Sequence, residues 1–450
     1  MFRKHNLVII TLGLVLLLGC VRTAAPISME PTVGFSLSQT PAPVQTATPA
    51  VPTATPVLTL AATDDSGVAN LTIQCLEIQS TLPTETTYNG VLILDGGGDF
   101  DLPTTVIDMK TLQSTLVSDT DQEFHGFSIS PDHHWFSYNQ FIRADPPIEN
   151  LVISDATGKD WLKIPREEYW TWASWLDNDH LMVNIMEGSW TAGVNDLEEI
   201  AFRFLVLNPF TLERTLLEPD FPEIYMHWLI GGMMVVYDQS LERAVYLQGS
   251  EGSQIYYTLW DVTNAQALVS IPYRGSPDRI PKWSPLGNEF VIAYQPVDLS
   301  WLSYEIYTVE RNGEITQQTN LNNYYNWVSI TDYSWSPDGN KIAFWYSAGL
   351  ESYDSLDIFH FFKEQQLAVL DLASGQITCY CITGDYSTIP GEVSMTVPSP
   401  LWSPDGKQLV VVNRYDEDNH NRVILVDLET ELAYQIAENA IPVGWLLANP

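Results

Sequence analysis

The pentapeptide Trp-Ser-Pro-Asp-Gly occurs twice, at Trp335–Gly339 and at Trp402–Gly406, each time just ahead of an apolar run. This repeated string constrains the fold more than any other feature. Proline has no N–H and cannot continue a β-ladder. Asp-Gly supplies the positive φ that a tight hairpin turn requires. The run that follows in the first copy, Ile342-Ala343-Phe344-Trp345-Tyr346, is apolar without alternation. A strand wetted on one face alternates, so an unbroken run implies cover on both faces.

Degenerate copies extend the series along the chain. They are "SISPDHHWFSY", "SWLDNDHLMV", "HWLIGGMMVVY", "KWSPLGNEFVIAY" and the closing "VGWLLANP". Their anchor positions, with the two full copies, are Ile129, Trp175, Trp228, Trp283, Trp335, Trp402 and Trp445. A second series interleaves with the first. It consists of apolar hairpins hinged at Asp108, Asp155, Asn208, Asp261, Glu310, Asp371 and Asp427. Internal repeats at this spacing mark propellers and solenoids. Two hairpins per unit and seven units predict an all-β, seven-bladed β-propeller with four-stranded antiparallel blades. Six blades plus a stray terminal strand is the alternative. The N-terminal "NGVLILD" and its hairpin lack an inner strand, while the chain ends with an inner strand lacking partners. Ring closure would pair them, placing Trp445 beside Val91–Asp95 and removing two open edges.

Composition agrees. Aromatic residues make up 12% of the chain, which favours strands. Acidic residues outnumber basic ones 56 to 20, for a formal net charge of −36. Such a chain repels phosphate backbones, so no nucleic-acid partner is expected.

The N-terminus reads as an address. Arg3 and Lys4 precede an apolar stretch from Leu7 to Leu18, followed by Gly19 and Cys20. The stretch is shorter than the ~20 residues that span a bilayer and fits an export signal. Leu17-Leu18-Gly19-Cys20 resembles the bacterial lipobox, which implies cleavage before Cys20 and a lipid on its sulfur. The expected division is a signal peptide at 1–19, a lipidated Cys20 with a Thr/Ala/Pro-rich spacer to 62, a lead-in at 63–87 and the propeller at 88–450. The expected location is extracytoplasmic, anchored to the membrane through Cys20.

The string W-S-P-D-G-x-x-[IL]-A-F resembles the WD40-like repeat of TolB-type propellers. Similar blades occur in tricorn-type proteases and in the propeller halves of prolyl-oligopeptidase relatives. The resemblance covers roughly 88–450 and implies the fold; the motif residues are structural in those families. Residues 63–87 are too few for the α/β domain that precedes the TolB propeller. Gly-x-Ser-x-Gly, the peptidase signature, is missing from the chain.

Chemistry-bearing motifs are sparse. His133-His134 falls in a tight turn, read as solvated rather than metal-binding. Asp416, Glu417, Asp418, Asn419 and Asn421 could offer oxygen ligands to Ca²⁺, as could Asp95, Asp99 and Asp101, but neither group has the spacing of a calcium loop. No cofactor is expected. Beyond Cys20, three cysteines remain: Cys75, Cys379 and Cys381. An oxidising compartment permits Cys75 to bridge to Cys379 or Cys381, pinning the lead-in to the sixth repeat and leaving one thiol. Three buried thiols is the alternative.

Loop lengths point to one face of the disc. The Asp-Gly turns and hinges are short, and the connections on the other face are long. These carry Trp190, Trp301, Tyr304, Tyr324, Tyr325, Trp327, Tyr353, Phe359 and Tyr386, the ligand-face candidates. Aromatics on a rigid scaffold suit sugar rings, peptides or cationic groups. The expected function is a non-catalytic binding module for a peptide, glycan or protein partner. A polysaccharide-acting enzyme using the central channel and a TolB-like envelope assembly factor are the alternatives.

Overall fold

Each repeat folds as one four-stranded antiparallel sheet, and seven such sheets form the ring. The computed structural model describes residues 71–448, apart from 81, 83–87, 97–103, 117–121, 143, 145–147, 159, 166–169, 188–200, 218–220, 223, 225, 228–231, 234, 250–253, 274–279, 297–302, 352–364, 385–397 and 415–420. From the axis outward, blade 1 runs Ile441–Leu446, Val91–Asp95, Thr105–Asp108, Ser114–Leu116. Blade 2 runs Gln122–Ile129, Trp135–Ile142, Ile148–Asp155, Asp160–Pro165. Blade 3 begins at Trp170–Trp175, blade 4 at Val235–Tyr237, blade 5 at Lys282–Trp283, blade 6 at Trp327–Trp335 and blade 7 at Leu401–Trp402, each followed by three further strands in chain order.

The apolar runs are explained by what lies on either side of each sheet. Among the described residues there are seven buried apolar clusters, and each lies between two neighbouring blades. Side chains of one strand alternate between two clusters. Ile342, Phe344 and Tyr346 enter the cluster shared with blade 5. Ala343 and Trp345, between them, enter the one shared with blade 7. Both faces are therefore covered, and alternation disappears from the sequence.

The repeated Trp does a second job. The Trp335 indole N–H donates to the Lys282 carbonyl at 2.9 Å, on the inner strand of the preceding blade. Trp402 donates to Ser334 O at 3.3 Å and Trp283 to Val236 O at 3.1 Å, each one blade back. Between blades 2 and 3 the link takes another form. The Trp175 amide donates to Ser128 Oγ at 3.0 Å, while its indole N–H is buried without an acceptor among the described residues.

The rest of the pentapeptide builds the turn. Ser336 Oγ donates to Asp338 Oδ1 at 2.6 Å and accepts the Lys341 amide at 2.9 Å. Ser403 and Asp405 repeat the pattern, as do Ser130 and Asp132. Gly339 and Gly406 take φ of 70° and 69°, as the Asp-Gly reading requires. In blade 2 this position is His133, at φ 60°, and in blade 4 it is Leu241, at φ 61°.

Blade 4 corrects the alignment. Its inner strand is Val235–Tyr237, so Tyr237 holds the place assigned to Trp228. The cause is a turn, Asp238-Gln239-Ser240-Leu241, that has neither Pro nor Gly. Asp238 holds it instead, accepting from Ser240 Oγ at 2.7 Å and the Arg243 amide at 2.9 Å. Trp228 itself lies outside the described residues. Met226–His227 and Gly232–Met233, on either side of it, form a separate two-stranded hairpin.

The ring closes as the half-blades at the two chain ends require. Leu92 pairs with Trp445 and Val91 with Leu446, within the C-terminal inner strand. The closing strand is also held from blade 2. The His133 ring nitrogen Nδ1 lies 2.8 Å from Trp445 O, and Leu447 N–H donates to His133 O at 2.8 Å. His133 is thus not a solvated turn residue but a half-buried brace.

The lead-in adds a second closure device. Leu71–Ile73 pairs in parallel with the outer strand of blade 6, and Ile78–Gln79 with the outer strand of blade 7. Leu71 packs on the blade 5–6 cluster, Leu76 and Ile78 on the 6–7 cluster, and Leu82 on the 7–1 cluster. Cys75 bonds to Cys381 with Cα atoms 4.8 Å apart, and Cys379 is the buried free thiol. Cys381 sits where the strand register shifts, with φ of 52°.

Two outcomes follow. Replacing Cys75 and Cys381 by Ser should lower unfolding free energy by about 2–4 kcal/mol, read by urea titration of the oxidised parent against the variant. Burial holds the His133 imidazole below its ordinary 6.5, outweighing the Trp445 carbonyl that favours the proton. The unfolded chain therefore takes the proton more readily. Stability is full above pH 6.5 and is lost as pH falls from there through the depressed folded value. Melting temperatures between pH 8 and 5 should show this loss, and His133→Asn should flatten it.

Candidate functional site

The inner strands line a cavity of about 940 Å³ on the ring axis. Four motif tryptophans, Trp175, Trp283, Trp335 and Trp402, contribute to its wall. So do the turn prolines Pro131, Pro285 and Pro337. Pro398 and Pro400, ahead of the blade 7 inner strand, add to the apolar lining. The motif residues are there for a structural reason: the Trp ties blades together, and the turn Pro ends the inner strand. Their convergence on one axis is a by-product of sevenfold repetition.

One charged network enters this wall. Lys282 Nζ lies 2.8 Å from Asp332 Oδ1, from Tyr333 O and from Ser399 Oγ. Ser399 in turn donates to Asp332 Oδ2. An ammonium has three N–H donors, and all three are used. The partners come from blade 5, blade 6 and the segment entering blade 7, so the network braces three successive blades at the axis.

The loop-face candidates divide. Tyr304 and Trp327 are only 4% and 3% exposed and belong to or adjoin the core. They are corrected from ligand contacts to structural residues. The reason is a parallel bridge from Ser303 to Val328, which with the Tyr304 amide on Val328 O at 3.1 Å draws the loop onto blade 6. Tyr325 packs against the same cluster, its ring 6.3 Å from that of Tyr346. Tyr324 reaches solvent at 37% exposure. Trp190, Trp301, Tyr353, Phe359 and Tyr386 lie outside the described residues, as does Cys20.

Glu305 holds this loop in place. Its buried carboxylate accepts from Thr319 Oγ1 at 2.5 Å, the Leu321 amide at 2.9 Å, the Asn322 amide at 2.8 Å and Asn322 Nδ2 at 2.7 Å. These bonds satisfy the start of the 3₁₀ turn Leu321–Asn323, just before Tyr324. Burial raises the Glu305 pKa, and the four donors oppose that rise. Loop reading from sequence missed it because the residue sits inside an apolar run.

Of the oxygen clusters, Asp99, Asp101 and 416–419 lie outside the described residues. Asp95 accepts the Thr104 hydroxyl at 3.3 Å, and Asn421 is buried at the start of a blade 7 strand. Among the described residues no group of three or more His, Cys, Asp or Glu side chains could hold a metal ion.

The chain is thus a seven-bladed β-propeller built from the Trp-Ser-Pro-Asp-Gly type of blade, with an apolar axial cavity. No protein-family profile matches it, and no curated protein matches it. Solved structures do match. Oligogalacturonate lyase from Vibrio parahaemolyticus is 13% identical with a TM-score of 0.51, over 80% of this chain and 92% of the lyase. TolB from Acinetobacter baumannii is 13% identical with a TM-score of 0.38, over 79% of this chain. This chain spans 63% of the TolB chain. An acylaminoacyl peptidase is 11% identical with a TM-score of 0.48, over 80% of this chain and 52% of the peptidase. Identities this low speak to fold alone.

Removing the cation from the axial brace should destabilise without touching the apolar core. Lys282→Met leaves the mostly covered Asp332 carboxylate without its counter-ion and should cost roughly 1–3 kcal/mol in urea unfolding. Combining it with Asp332→Asn should recover part of that loss.

Proposed function

We propose that this protein is a membrane-tethered, extracytoplasmic binding module. In this reading a lipid on Cys20 anchors it, the spacer to residue 62 holds the disc away from the bilayer, and the axial cavity receives a ligand. The observation that carries the reading is the cavity itself. Its volume of about 940 Å³ falls at the upper end of the usual ligand-pocket range of ~300–1,000 Å³. Its walls are rigid, because each Trp that lines them is fixed by a neighbouring blade. The half-exposed Trp283 and the proline rings of Pro131, Pro285, Pro337 and Pro398 suit the apolar faces of sugar rings or of proline- and aromatic-rich peptide segments. With a net charge of −36, a neutral ligand is favoured over a polyanion.

A second reading, an enzyme acting on polysaccharide, draws on the fold shared with oligogalacturonate lyase. Two features weigh against it. Lys282 spends all three of its N–H donors on the brace, and a polygalacturonate chain would meet repulsion. A TolB-like assembly role draws on the repeat alone.

The test is a screen of full-length protein against neutral glycan and peptide arrays, followed by calorimetry on hits. Ser174 lines the cavity without belonging to a core cluster. Ser174→Trp should reduce binding of a true hit at least tenfold with melting temperature unchanged. Undiminished binding would overturn the cavity reading. Release of unsaturated products from oligogalacturonate would favour the enzyme instead.

A further inference from the structure

Opposite the long loops, the tight-turn face carries an aromatic cluster that the blade architecture does not require. Trp161 begins the outer strand of blade 2 and is 50% exposed. Its ring centroid lies 5.4 Å from Trp135 and 5.2 Å from Phe210, which are themselves 5.2 Å apart. Phe210 in turn packs 6.3 Å from Trp175 and so connects the cluster to the blade 2–3 core. Leu212, one residue beyond Thr211 in the same hairpin, is 52% exposed. The three rings hold one another, so the indole of Trp161 is presented rather than folded away.

Four turns border the cluster, and they are acidic. They contribute Asp132, Asp155, Asp177, Asp179 and Glu213. The two inner turns touch, since the Asp132 amide donates to Asn178 Oδ1 at 2.9 Å. The Asp carboxylates cap their own turns: Ser130 donates to Asp132 at 2.6 Å, and Thr157 donates to Asp155 at 2.5 Å. On these turns the His180 ring nitrogen Nδ1 lies 3.0 Å from Asp177 Oδ1. Lys163 is turned to Gln140 at 3.2 Å, and Arg214 opens the strand beyond Glu213. Lys159 lies outside the described residues.

We infer that Trp161, backed by Trp135 and Phe210 on a face whose turns carry these carboxylates, is a docking site for an arginine or lysine side chain presented by a partner protein. Charge complementarity selects that occupant. A cation over an indole face is attracted by the ring quadrupole, Trp being the strongest such ring, and flanking carboxylates add to the attraction. A neutral sugar would stack on the indole but leave the carboxylates unused. A second copy of a chain with net charge −36 would be repelled. The site is separate from the axial cavity, so its failure leaves the cavity reading untouched.

The test uses full-length protein in detergent micelles and a twelve-residue Arg-Gly-Ser repeat peptide, with the same peptide carrying Gln for Arg as control. Calorimetry should detect the arginine peptide and not the glutamine one, with affinity falling as salt rises. Trp161→Ala should weaken binding about tenfold. Tyr324→Ala, on the opposite face, should leave it unchanged, and both variants should melt like the parent. Asp179→Asn should weaken binding less than Trp161→Ala. The inference is overturned if the arginine peptide does not bind, or if it binds Trp161→Ala as well as the parent, which would mark general attraction to an acidic protein. It is equally overturned if cellohexaose, but not the arginine peptide, is lost with Trp161.

Discussion

A sheet with two apolar faces cannot stand in water, and everything in this molecule follows from covering both. Burial of apolar area is non-directional. It would be satisfied by many stackings, including open or slipped ones. The indole N–H of the motif Trp supplies the missing direction. Donation from Trp335 to Lys282 O, and from Trp402 to Ser334 O, sets each inner strand one blade from the last. The Trp345 indole adds a further link, to Pro398 O at 2.9 Å. A buried indole N–H left without an acceptor is costly, so a slipped packing would be penalised.

The acidic composition has a comparable origin. Six of the seven hinge positions are Asp or Glu, and the five aspartates accept backbone amides of their own turns. Asp108 takes those of Lys110 and Thr111 at 2.9 and 2.8 Å, and Asp427 those of Glu429 and Thr430 at 3.0 and 2.9 Å. The Ser374 hydroxyl, bonded to Asp371, lowers that carboxyl's pKa against the opposing effect of burial. Much negative charge is thus a consequence of turn building, repeated on one face. That face is consequently acidic whether or not anything binds there. The exposed Trp161 is a different matter, because no turn needs it.

Ring closure is secured twice over. The C-terminal strand completes blade 1, and the lead-in strand pair seals the outer seams from blade 5 round to blade 1. Tyr88, where the lead-in ends, donates its hydroxyl to Asp427 of blade 7 at 3.0 Å. The seams so reinforced include the one where the ring is not covalently continuous, between blade 7 and the N-terminal strands of blade 1. A closed ring fails by opening at such a seam.

The repeat, the blade number, the exchanged strand and the pairing of Cys75 with the sixth blade were all legible in the chain. They rest on local rules: proline cannot pair, Asp-Gly turns tightly, and doubly covered strands do not alternate. Blade 4 was misaligned because Asp238 replaced those signals with side-chain bonds. The loop aromatics were misjudged at Tyr304 and Trp327 because burial of a loop residue depends on where the loop lands, and Glu305 and the Ser303 bridge decide that. The choice between Cys379 and Cys381, the brace at His133, the Lys282 network and the cluster at Trp161 belong to the tertiary structure alone. Each joins residues tens to hundreds of positions apart, and no local spacing rule carries information over that distance.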